Sequence, residues 1–141
     1  MIYRWHTWLN MPKKPLEWHE QDLADEVLEY QTAKGLIMRW SELSDIVYCQ
    51  TRGVWGGYDI KFPLSKFHYA VGCIYMYPKM TGRYVFFRRA GKKCNASRPL
   101  HEVRNPKKLH KLHHIAEKYD MDKDEFRKVC EKQLKYWILL P

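Results

Sequence analysis

The chain has 141 residues, 45% of them hydrophobic and 15% aromatic, which excludes bulk disorder and leaves room for a real core. Its formal charge of +9 and pI near 9.4 favour a polyanionic partner, although where the charge sits says more than its total. The longest apolar run, Phe67 to Tyr77, is too short for a membrane span.

Residues 1–15 read as an aromatic arm and linker. Tyr3, Trp5 and Trp8 are costly to expose and are expected to pack on the body of the domain. Pro12 and Pro15 mark the linker. Residues 16–57 form a helical part. Glu17 to Lys34 places Leu23, Val27 and Tyr30 on one face and acids on the other, with Gly35 as its stop. Ser41 is the expected N-cap of a second helix, which Leu43, Ile46 and Val47 carry to about Thr51. Three glycines then predict an irregular stretch over residues 52–57.

Residues 58–99 predict a sheet and a basic loop. Tyr58 to Phe62 alternates as a strand does, and Arg83 to Arg89 is rich in aromatics. Phe67 to Tyr77 suits either a buried strand or a helix. With a turn at Pro78–Gly82, the expectation is a three-stranded antiparallel meander. The loop Gly91–Pro99 resembles the basic loops of ribonucleoprotein components in composition. Residues 100–141 predict a helical hairpin. Asn105-Pro106 signals a helix start, and Leu109, Leu112, Ile115, Ala116 and Tyr119 recur at helical spacing. After a break at Asp120-Met121, Asp122 and Glu125 begin a second helix as a capping box. The whole is expected to be one compact α+β domain.

Charge is distributed unevenly. Residues 16–45 carry eight acids against Lys34 and Arg39, a net −6, whereas residues 79–111 carry eleven bases against Glu102 alone, a net +10. Bases interleaved with aromatics suit a nucleic-acid backbone, since cations release condensed counterions and rings offer stacking surfaces. The candidate contacts are Arg83, Arg88, Arg89, Lys92, Lys93, Arg98, Arg104, Lys107, Lys108 and Lys111, with Arg127 and Lys128 in the last helix.

The hairpin resembles the helix-turn-helix DNA-binding motif over residues 112–131. That motif carries a small residue in its first helix, a turn residue four later and an apolar residue six after that. Ala116, Asp120 and Phe126 hold those places, flanked by Ile115, Met121 and Val129. The resemblance implies a DNA-reading second helix. Two departures stand against base reading: aspartate replaces glycine at the turn, and Asp122, Asp124 and Glu125 put carboxylates where phosphates would approach.

Catalysis has little support. His19-Glu20 and His101-Glu102 are isolated pairs without a nucleophile motif, and Gly53, Gly56 and Gly57 do not form a phosphate loop. The acids of residues 20–29 are expected on the solvated side of their helix. His110, His113 and His114 are weak metal candidates without paired cysteines, so no metal or cofactor is expected. Cys49, Cys73, Cys94 and Cys130 are widely spaced and no secretory leader is visible, which predicts reduced thiols and a cytoplasmic setting. The leading expectation is non-catalytic binding of DNA or structured RNA. The alternative is an assembly protein using the acidic helix 17–34 or exposed aromatics, and the third is a metal-dependent nuclease.

Overall fold

The computed structural model describes residues 2–137, apart from the side chains of residues 109 and 110. Six helices run in order: α1 (Ile2–Trp8), α2 (Leu16–Thr32), α3 (Leu36–Gly56), α4 (Lys66–Lys93), α5 (Leu109–Lys118) and α6 (Lys123–Leu134). Among the described residues there is no strand. The expected α+β fold with a three-stranded sheet is therefore corrected to an all-helical one.

The backbone gathers into two units, residues 1–78 and residues 79–141. In the first, Leu9, Leu43, Ile46, Val47 and Met76 are fully buried. The aromatic arm is α1; its His6 is fully buried, while Trp8 stays 58% exposed. The helix α3 begins five residues before the expected cap, because Leu36, Ile37 and Met38 are exposed and leave no amphipathic signal to read. Ser41 is thus buried inside the helix. Gly35 does not follow directly on α2. It precedes α3 with φ 87°, a left-handed turn that a side chain resists. Helix also continues through residues 52–56, where irregularity was expected, because Arg52 is locked inward. Its guanidinium lies 4.6 Å from the Trp18 ring and donates to the Pro12 carbonyl at 3.1 Å.

The three sheet segments fail for different reasons. Over residues 58–62 the alternation is real, with Ile60 buried and Asp59 and Lys61 exposed. The segment is extended but lies along α3 rather than beside another strand, with Gln50 Nε2 donating to the Phe62 carbonyl at 3.0 Å. Residues 67–77 are helical. So are residues 78–89, including Pro78 inside α4. A proline there removes one backbone hydrogen bond and crowds the preceding turn. Buried side chains hold the helix on both sides of it, Met76 in the first unit and Met80, Phe86 and Phe87 in the second.

The second unit closes on Phe86, Phe87, Leu100, Leu112, Ile115 and Phe126, with Phe87 stacked on Phe126 at 6.4 Å. Helix α5 starts at Leu109 rather than at Pro106. Asn105 instead closes a local turn, its Oδ1 accepting from the Lys107 N–H at 2.9 Å. The turn between α5 and α6 has Asp120 at φ 55°, and Asp122 Oδ1 accepts from the Glu125 N–H at 2.8 Å as an N-cap.

Gly72 sets how closely α4 approaches α3 in the first unit. A Cβ there would meet Val47 Cγ2 at 2.5 Å and the Leu43 carbonyl oxygen at 3.2 Å. Alanine ordinarily favours a helix over glycine by about 1 kcal/mol, but the Leu43 backbone cannot step aside as a side-chain tip can. Gly72→Ala is expected to destabilise the first unit by about 1–3 kcal/mol, the usual cost of overpacking, measured by urea unfolding followed through tryptophan fluorescence.

Candidate nucleic-acid interface

Helical spacing sorts the basic residues of α4. At about 100° per residue, Arg88, Arg89, Lys92 and Lys93 share one side, and Arg83, Phe86, Phe87 and Ala90 share the other. Burial follows this division: the first four are exposed and the second four are buried. A strand would have split Arg88 from Arg89 and Phe86 from Phe87 across two faces. Helix α4 instead gathers the cations on one surface.

Their side chains are partly fixed by aromatic rings. The Arg88 guanidinium lies 5.8 Å from the Tyr84 ring centroid, Arg89 lies 5.8 Å from Trp137, and Arg98, in the following loop, lies 5.2 Å from Tyr119. Such contacts leave the edge N–H groups available to an anion. Among the described residues, no carboxylate lies within ion-pair distance of Arg88, Arg89, Lys92, Lys93, Arg98 or Lys107.

The other predicted contacts divide. Arg83 is buried and donates to the Val103 carbonyl at 3.3 Å, so it serves the interior and is removed from the surface set. The one acid of the block, Glu102, is buried between Lys118 at 2.5 Å and Arg104 at 3.6 Å. Arg104 therefore remains exposed but is partly neutralised. Lys107 is exposed, and Lys108 and Lys111 are half-buried. On α6, Arg127 Nε donates to Glu131 Oε1 at 2.8 Å, while Lys128 is exposed. Tyr119 was expected only as an apolar position of the hairpin; that the rings of Tyr84, Tyr119 and Trp137 lie beside Arg88, Arg98 and Arg89 was signalled in the sequence by no more than the interleaving of aromatics with bases.

Helix α6 also presents exposed Asp124 and Glu125 at its amino end. They suit the positive end of the helix dipole, and they keep negative charge where a base-reading helix would enter a groove. His113 and His114 are exposed, His114 lying 3.6 Å from Glu117. The His110 side chain lies outside the described residues.

Acids also gather in the first unit, and not as expected. Asp22, Glu26 and Glu29 are half-buried on the α3 side of α2 rather than wholly on its solvated side. Oxygens of Glu26, Glu29 and Glu42 lie within 4.8 Å of one another. The Cys49 thiol donates to Asp22 Oδ2 at 3.1 Å, and burial pushes that thiol's pKa well up. Burial, reinforced by Asp45, Glu29, Asp22 and Glu42, raises the Glu26 carboxyl from 4.5 to about 8. Nearby, burial and then Arg52 lower His6 from 6.5 to about 4 and also lower His19.

No protein-family model matches the chain, and no curated protein or solved structure matches it either. No helix among the described residues is long and apolar enough to cross a membrane.

The Glu26 carboxyl makes a definite prediction. Its folded pKa lies above its unfolded value, so the folded state binds the extra proton between about 4.5 and 8. The stabilisation is complete below 4.5 and is lost as pH rises through 8. Glu26→Gln is expected to stabilise the chain by about 1–3 kcal/mol at pH 8, because the neutral amide removes a charge that burial and the neighbouring carboxylates oppose. The gain should shrink on acidification to pH 5, as read by thermal unfolding at both pH values.

Proposed function

We propose that the chain is a non-catalytic nucleic-acid-binding protein that grips the backbone of DNA or structured RNA with its second unit. The observation that carries this reading is the exposed α4 face of Arg88, Arg89, Lys92 and Lys93, free of carboxylate partners among the described residues. Four cations at helical spacing match a row of phosphates as point charges, and arginines steadied by rings lose less side-chain freedom on binding. Arg98, Lys107 and Lys128 extend the set. The helix-turn-helix resemblance of residues 112–131 favours a DNA duplex, whereas the acidic start of α6 disfavours groove insertion. The reading is therefore of backbone contact, with α5 and α6 as scaffold.

A second reading has its own support. Leu28 within the acidic helix α2 and Leu36, Ile37 and Met38 in the first turn of α3 are 52–72% exposed, and exposed apolar side chains together with acids suit a basic protein partner. One titration separates the two.

Fluorescence anisotropy with labelled duplex, single-stranded and hairpin probes is expected to show binding at low salt. Its log affinity should fall linearly with log salt. Replacing Arg88, Arg89, Lys92 and Lys93 together by Ala should weaken all probes alike and flatten the slope by roughly 0.9 per lost phosphate contact. Arg83→Ala should instead lower stability by about 1–3 kcal/mol and leave the salt slope unchanged. Absence of binding to every probe at low salt would overturn the proposal and favour the protein partner.

A further inference from the structure

The first unit contains a cavity of about 430 Å³ that the nucleic-acid reading does not use. Its buried floor is Gln50, Thr51 and Ile60, its half-buried walls are Ile2, Phe62 and Leu64, and Val54 stands at its edge. That volume falls within the range of small-molecule sites. The Gln50 amide nitrogen and the Thr51 hydroxyl have partners, while the buried Gln50 amide oxygen has none among the described residues. Gln50 Nε2 donates to the Phe62 carbonyl at 3.0 Å, and Thr51 Oγ1 donates to the Tyr48 carbonyl at 3.1 Å and meets His6 Nε2 at 3.0 Å. The Gln50 bond ties the segment 58–64 to α3 and the His6 bond ties α1 to α3, so the cavity is a built feature rather than a gap between loose loops. Its interior is suited to an apolar body.

The mouth is different. Its exposed lining includes Lys61, Lys66, Tyr3 and Tyr69, and among the described residues no carboxylate lines it. Lys61 is held by Asp59 at 2.7 Å. Lys66 is exposed, stands in the first turn of α4, and has no carboxylate within ion-pair distance among the described residues. An uncompensated ammonium at the positive end of a helix favours an anion at that point. We propose that this cavity binds a small amphipathic carboxylate, its apolar body over Ile60 and its anionic head at Lys66.

The full chain, labelled with ¹⁵N, would be titrated with decanoate and separately with decan-1-ol while amide shifts are followed. Saturable decanoate shifts confined to residues 50–69 and the neighbouring arm are expected. Val54→Trp, which fills the cavity from a partly exposed position, should abolish them. Lys66→Glu, at a surface position that leaves the fold intact, should weaken decanoate about three- to tenfold and leave decan-1-ol unchanged. The proposal is overturned by decanoate shifts scattered elsewhere, by no saturable shift at all, or by Lys66→Glu binding decanoate as the unaltered chain does. Equal affinity for decanoate and decan-1-ol would overturn the anionic class.

Discussion

Everything proposed for the second unit depends on the inward seating of Phe86 and Phe87. Both are fully buried, one ring edge-on to the other at 5.3 Å, with Phe87 stacked on Phe126 of α6. Two adjacent large rings can both face a core only across the wide apolar stripe of a helix. Once they are seated, helical geometry turns Arg88, Arg89, Lys92 and Lys93 to solvent together. The cationic surface is therefore a consequence of core packing. Burying each phenylalanine contributes about 1.5–3 kcal/mol, far more than repulsion among four screened surface cations costs at physiological salt.

The two units handle buried charge in contrasting ways. In the second, Glu102 sits with Lys118 and Arg104 and receives a hydroxyl contact from Tyr119 at 3.4 Å, so the buried acid is matched. In the first, Arg52 is surrounded by the rings of Trp18 and Tyr48 and by a carbonyl, while Glu26 stands among other acids. Burying charge without a partner shifts its protonation instead of breaking the fold, which is why Glu26 rises and His6 falls. Acid and base there respond in opposite senses to pH. Acidification through the range 6.5 to 4 protonates His6 more readily in the unfolded chain and so weakens the fold, while the loss tied to Glu26 comes as pH rises from about 4.5 to 8.

Local capping signals were readable at the turn before α6 but not at Ser41, which lies inside α3, nor at Pro106, which precedes α5 by three residues. Asp122 caps α6 as its spacing with Glu125 indicates, and Asp120 takes the left-handed turn before it. Signals resting on alternation or composition were not. Tyr58 to Phe62 has a strand's alternation because one side of an extended segment packs on α3, and alternation cannot reveal what lies opposite. In α4 the buried side includes Lys79 and Arg83, and the outer side includes Phe67 and Ile74. The apolar periodicity therefore cancels along the helix.

The sequence by itself determined that a cationic block lies at residues 79–111, that acids crowd residues 16–45, and that the last described helix starts at an Asp122 cap. These follow from residue chemistry and short-range backbone preference. Only the tertiary structure decided that the block is largely helical, that Arg83 is interior while Arg88 and Arg89 are not, and that Glu26 sits against other carboxylates. The reason is physical: exposure and protonation depend on neighbours distant in the chain, and no local pattern encodes which neighbours those are.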